Sequence, residues 1–193
     1  MAAIFSLITT ASAEPLKLNA RRQIETGKGK GDWQEERKVL DWEGTKTALI
    51  VCDMWDRHWC QGATERVGEM APRMNEVVKA ARAKGVFIIH APSDTMKFYE
   101  GMVQRKRAQE AKKAVPPVEL KRWCSLDPAK EAPLPIDDSD GGCDDEPRCK
   151  EGPPWPWTRQ IATIEVADVD AVTDSAEAYN LLEERGITNV IVM

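Results

Sequence analysis

Apolar residues along this chain fall into two kinds of run. The short unbroken ones, Thr47-Ala-Leu-Ile-Val-Cys-Asp53 and Val86-Phe-Ile-Ile-His90, show no polar alternation and predict strands buried on both faces of a parallel sheet. Between them, from Glu69 to Lys84, Met70, Met74, Val77, Val78 and Ala81 recur at three- and four-residue spacing. That spacing predicts an amphipathic helix stopped by Gly85. Strand, helix, glycine and strand in this order make a βαβ unit with a right-handed crossover. The pattern resumes at Ile161-Ala-Thr-Ile-Glu-Val166, a predicted third strand. A helix from Asp174-Ser175 then turns Ala178, Leu181 and Leu182 inward and ends at Gly186, and Ile187-Thr-Asn-Val-Ile-Val-Met193 predicts a fourth strand. The expected fold class is α/β, a three-layer αβα arrangement on a Rossmann-like parallel sheet, incomplete at the C-terminus because the last predicted strand ends the chain.

The segments outside this pattern set the domain boundaries. Met1 to Thr10 is apolar and leads into Ala11-Ser12-Ala13, an h-region followed by a small-x-small site, so residues 1–13 read as a signal peptide cleaved after Ala13. The expected location is therefore secreted or periplasmic. Residues 14–44 read as an exposed polar extension, and 45–193 as the α/β domain. Within that domain, about 92–158 holds most of the prolines and reads as an insertion: a charged helix about Tyr99 to Ala114, then a proline-rich loop. Its charge is segregated. Lys97 to Arg122 is rich in bases and Glu131 to Glu151 is acidic, the composition of a lid, a partner surface or a solvated helix facing its own loop.

Composition narrows the function classes. The 193 residues carry 27 Lys and Arg against 32 Asp and Glu, a net charge of -5, which argues against a nucleic-acid-binding surface. No apolar run reaches the roughly 20 residues that span a bilayer, so no membrane partner is expected after signal cleavage. The remaining partner is a small molecule, with a homo-oligomer allowed by the sequence and no cofactor called for. Five cysteines are an odd set. In an oxidising compartment Cys143 and Cys149, which flank a turn-rich stretch, are disulfide candidates. Cys60 and Cys124, each after a Trp, form a second possible pair. Cys52 reads as a small buried core residue. Zinc competes for these cysteines, although there is no CxxC pair and only His58 and His90 add nitrogen ligands. Asp138, Asp140 and Asp144 lie in an acidic Gly-containing stretch and are weak calcium candidates, without the EF-hand pattern.

Open parallel sheets bind ligands outside the carboxyl ends of their strands. The first such end carries Asp53, Trp55, Asp56 and His58, and the second carries His90. Asp53 is the expected catalytic group, an acid where a buried strand meets a loop; the other four are substrate-pocket candidates. Taken together, TALIVCDMWDRHWC, MNEVVKAARAKG, VFIIHAPSD and AEAYNLLEERGITNVIVM resemble the isochorismatase-like cysteine hydrolases over about residues 45–94 and 160–193. The resemblance implies an Asp/Lys/Cys triad that hydrolyses a C–N or vinyl-ether type bond in a small molecule, with Asp53 as the acid. It places the nucleophile just past Met193, after a Gly and within about six residues, a spacing of one tight turn and one helical turn. It places the lysine between the third strand and the next helix, where this chain reads Glu165-Val-Ala-Asp-Val-Asp170; Arg159 and Lys150 are other cations, and spacing does not select between them. A non-catalytic small-molecule or partner-binding protein on the same fold is the alternative, favoured by the missing lysine.

Overall fold

The computed structural model describes residues 15–27, 32–121, 125–127, 129 and 142–193. The predicted signal segment, Cys124, Asp138 and Asp140 lie outside the described residues.

The polar extension is a β-hairpin. Strand β1 (Leu16–Glu25) pairs antiparallel with β2 (Trp33–Trp42), placing Leu16 opposite Trp42 and Leu18 opposite Leu40. Farther out, Arg21 faces Arg37 and Arg22 faces Glu36. Only the base of the hairpin reaches the core, so apolar alternation fades within a few residues and the strand pattern is hidden in the sequence.

Four parallel strands form the central sheet: β3 (Thr47–Cys52), β4 (Phe87–Ala91), β5 (Ala171–Val172) and β6 (Asn189–Val192), in the order β5-β4-β3-β6. Alternate side chains divide between two cores, as the period of two requires. Leu49, Val51, Ile88 and Ile191 pack on the side of helix α1 (Gln61–Ala83) and the hairpin base. Ala48, Ile50, Phe87, Ile89 and Ala171 pack toward helices α2 (Val103–Glu110) and α3 (Glu177–Glu184). Helices therefore cover both faces of a parallel sheet, the generic αβα arrangement. Among the described residues no helix is long and apolar enough to cross a membrane.

Three expected elements differ. Ile161–Val166 is not a strand: the Ile164 amide bonds back to the Ile161 carbonyl, and the Gln160 side-chain amide donates to the Ile164 carbonyl at 3.1 Å. The Asn75 side chain also accepts the Glu165 N–H at 3.0 Å. Side chains have thus taken the place of a β-ladder, and Ile164 serves as a plug in the α1-side core. The third parallel strand is the short β5, farther along. The charged helix is shorter than Tyr99–Ala114, because Gly101 adopts φ 82 and separates a 3₁₀ turn (Met96–Tyr99) from α2. Finally, α2 buries Gln104 and Ala108 and packs against β5 and α3, so the start of the expected insertion is the crossover helix of the sheet itself.

Candidate functional site at the carboxyl end of the sheet

The chain leaves β3 abruptly. Asp53 has φ 49, the left-handed region that a non-glycine residue enters at a cost of about 1–2 kcal/mol. Two bonds hold it there: its N–H donates to the Ala91 carbonyl at 3.1 Å, and its Oδ1 accepts the Ser93 N–H at 2.9 Å. The first catalytic candidate therefore bridges the ends of β3 and β4. Its reversed backbone also brings Oδ2 to the Cys52 thiol, 3.7 Å away. Cys52 is exposed, not a core residue, because it lies at the strand's last position beyond the covering helices. The surrounding atoms first, and then the Asp53 charge, push this thiol's pKa up. It is a protonated thiol at neutral pH and a poor nucleophile as it stands.

Beyond Asp53 lies a wall of aromatic rings. Trp55 stacks on Trp157 with centroids 4.5 Å apart and planes 10° apart, and Trp157 stacks on Trp155 at 4.9 Å. His58 lies against Trp55 at 6.0 Å and against Trp157 at 5.8 Å. Burial pulls the His58 pKa down, against a smaller upward pull from Glu151. The Trp55 indole N–H donates to the Ser93 carbonyl at 3.0 Å, tying this wall to the residue that also holds Asp53. Three of the predicted pocket residues, Trp55, Asp56 and His58, are thus brought together with Asp53.

Asp56 works by holding the strip that carries Trp155 and Trp157. Its Oδ1 accepts the N–H groups of Thr158 and Arg159, and its Oδ2 accepts the Thr158 hydroxyl at 2.6 Å. Burial alone would raise this carboxyl's pKa, but the Thr158 and Arg159 donors outweigh it and lower it. Asp56→Ala is expected to free the strip and weaken the indole stack. The near-UV circular dichroism of the tryptophans should fall while the far-UV spectrum stays unchanged; an unaltered near-UV spectrum would show that the stack holds itself.

The fourth pocket candidate, His90, sits elsewhere. It is fully buried, with Nδ1 at 2.9 Å from Gln160 Oε1 and Nε2 at 3.1 Å from Asp170 Oδ2. Arg82 closes the chain by donating to both Asp170 oxygens at 2.9 and 2.6 Å. With both ring nitrogens occupied, His90 has nothing to offer a ligand; it joins β4, α1 and the 160–170 segment from inside. Sequence reasoning missed Asp170, Gln160, Trp155 and Trp157. The run Pro153-Pro-Trp-Pro-Trp157, two tryptophans in a proline-stiffened stretch, was the available signal for the last two.

The expected Cys143–Cys149 disulfide is absent. Both are free thiols, as is Cys60, and the closest sulfur–sulfur separations are 3.1–4.2 Å, whereas a disulfide requires about 2.05 Å. The reason is a shared acceptor. Asp145 Oδ2 takes the thiols of Cys60 and Cys149, each at 3.2 Å, that of Cys143 at 3.7 Å, and the Gly62 N–H at 2.9 Å. The Gly62 amide, then the Cys149 and Cys60 thiols, hold the Asp145 carboxyl down at about 2. Asp144, the described calcium candidate, instead pairs with Arg66 at 2.9 Å.

The fold and this site define an α/β protein with a stack of indole rings at the carboxyl edge of a parallel sheet. Against protein-family models, curated proteins and solved structures, the chain finds no match.

Proposed function

We propose that the carboxyl edge of β3 and β4 binds a small aromatic or planar molecule, and that Asp53 there accepts the proton of a thiol nucleophile, as the resemblance to isochorismatase-like cysteine hydrolases implies. The supporting observation is Asp53 itself: a carboxylate held in a strained backbone conformation at the ligand-binding end of the sheet, beside a wall of indoles. In this reading the thiol gives its proton to Asp53, the thiolate adds to the substrate carbonyl carbon, and the C–N bond breaks as the amine takes that proton. Water then cleaves the thioester to release the acid. The resemblance sets the thiol on the turn that follows the last strand. Met193 still pairs with β3, donating to the Ile50 carbonyl at 3.0 Å and accepting the Cys52 N–H at 2.9 Å, so a turn there lies beside Asp53.

One observation favours the binding-only reading. The residues between β5 and α3 are Thr173-Asp-Ser-Ala176, with no lysine for the triad. Benzamide is a suitable probe. It should quench tryptophan fluorescence saturably, and Trp157→Ala should weaken that binding about tenfold, the ~1.4 kcal/mol expected of a lost aromatic stack. A reading frame that continues to the thiol should hydrolyse amides and lose that activity in Asp53→Asn with binding kept. Binding without turnover in such a frame would establish the non-catalytic protein. Turnover by the present chain, abolished in Asp53→Asn, would move the nucleophile to Cys52, and the absence of saturable binding would remove the site.

A further inference from the structure

Among the described residues, one cluster of reactive side chains lies apart from the indole stack and is left without a role. Cys60 is the residue that precedes α1, and it is only 1% exposed; Cys143 is 5% exposed. Cys143, Asp145 and Cys149 come from a stretch with no helix or strand of its own. The ligand atoms of Cys60, Cys143 and Asp145 all lie within 4.8 Å of one another; Cys149 stands just outside that group and reaches the same carboxylate oxygen at 3.2 Å.

We propose that Cys60, Cys143, Cys149 and Asp145 form a structural site for one zinc-class divalent ion. Sulfur spacing is the first argument. A tetrahedral ion with metal–sulfur bonds of about 2.3 Å sets its sulfurs about 3.8 Å apart, and the closest separations here, 3.1–4.2 Å, bracket that edge. Ligand type is the second: three thiolates with one carboxylate suit a soft, tetrahedral ion and not calcium, which takes six or more oxygens. Support for the ligands is the third. The Gly62 N–H holds the Asp145 carboxylate and the Gln61 N–H reaches the Cys149 sulfur at 3.5 Å, so the first turn of α1 orients two ligands and its dipole stabilises their negative charge. Arg66, one helical turn on, adds a cation through its pair with Asp144.

The balance is simple. The ion binds as M²⁺, up to three S–H protons leave to the solvent, four metal–ligand bonds form, and nothing is oxidised or reduced. The consequence reaches the indole stack. Cys60 ends the loop that carries Trp55, Asp56 and His58, and Cys149 precedes the strip that carries Trp155 and Trp157. A metal joining them would clamp together the two segments whose rings stack there.

The test uses the full chain, purified with reductant, stripped with a chelator and titrated with Co²⁺ and then Zn²⁺. One Co²⁺ per chain should give thiolate-to-cobalt charge-transfer absorption and the intense visible bands of a tetrahedral site, both erased by one equivalent of Zn²⁺. Cys149→Ser, at the half-buried position least costly to folding, should weaken binding about 100-fold or more, the loss of a ligand exceeding that of an outer partner. Asp145→Asn should weaken it less and shift the visible bands, whereas Cys52→Ser should bind as the parent does. Metal binding should also raise the near-UV circular dichroism of the stacked tryptophans. Weak octahedral cobalt spectra, full-affinity binding in Cys149→Ser, or no stoichiometric uptake by the reduced chain would each overturn the site.

Discussion

Asp170→Ala should be among the most damaging single changes in this protein, although Asp170 lies outside both the indole stack and the cysteine cluster. The carboxylate is 1% exposed and accepts from His90, from two Arg82 nitrogens and from the Ala167 N–H. Removing it leaves the fully buried His90 ring nitrogen and the largely buried Arg82 guanidinium without their shared acceptor. Breaking a buried pair in this way costs about 3–5 kcal/mol. Urea unfolding should show that loss as a lower midpoint with an unchanged slope. The pH dependence follows from the direction of the carboxyl's shift. Burial alone would raise the Asp170 pKa, but the His90 and Arg82 donors outweigh it, and the folded value lies below the ordinary one. A depressed folded pKa contributes stability that is complete above the unfolded value, about 3.9, and is lost as pH falls through the folded value. Asp170→Asn should therefore be less stable than the parent at neutral pH, and the gap should narrow as pH falls below about 4 and close below the folded value, where the parent's carboxylate takes its proton. A gap that stayed constant down to pH 2 would show that packing, not charge, is what Asp170 supplies.

Gly44→Ala should cost a comparable amount for a purely steric reason. Gly44 opens the 3₁₀ turn into β3, and a Cβ built there would lie 1.9 Å from the Lys84 carbonyl oxygen. That oxygen cannot step aside cheaply. Lys84 closes α1 by donating its N–H to the Ala81 carbonyl, and Gly85, at φ 80, donates to that of Arg82. Either β3 or the α1–β4 connection must shift, and overpacking of this kind costs about 1–3 kcal/mol or more. Gly68→Ala is the control. Gly68 is exposed within α1 with nothing within 4 Å of a built Cβ, and alanine there should stabilise by about 0.5–1 kcal/mol. Thermal unfolding of the two variants should move in opposite directions; a fall in both would show that Gly68 has a role the packing does not reveal.

The residues themselves determined three of the four sheet strands and the place of Asp53 at a strand end. Thr47–Cys52 and Phe87–Ala91 were legible because a strand covered on both faces is apolar throughout, and both runs are short and rich in β-branched residues. α3 and its Gly186 stop were legible from helical spacing, and Asp53 from its place at a strand end, since these signals depend on neighbours along the chain. What was not legible depended on neighbours across it. Ile161–Val166 carries the composition of a strand, yet Gln160 and Asn75 satisfy its backbone, and a short stretch of apolar residues cannot say which partner its amides will find. His90 looked like a site residue from its position at a strand end; Asp170 and Gln160, from a segment far along the chain, make it a buried strut. Cys143 and Cys149 looked like a pair because they flank a five-residue turn-rich stretch, and the deciding partners were Asp145 and Cys60, the latter brought in from the start of α1. Local periodicity is written in the sequence because each residue's own surroundings select it. The partner of a buried polar or sulfur atom is fixed only when distant segments meet, and that meeting turned four separate loop residues into one cluster.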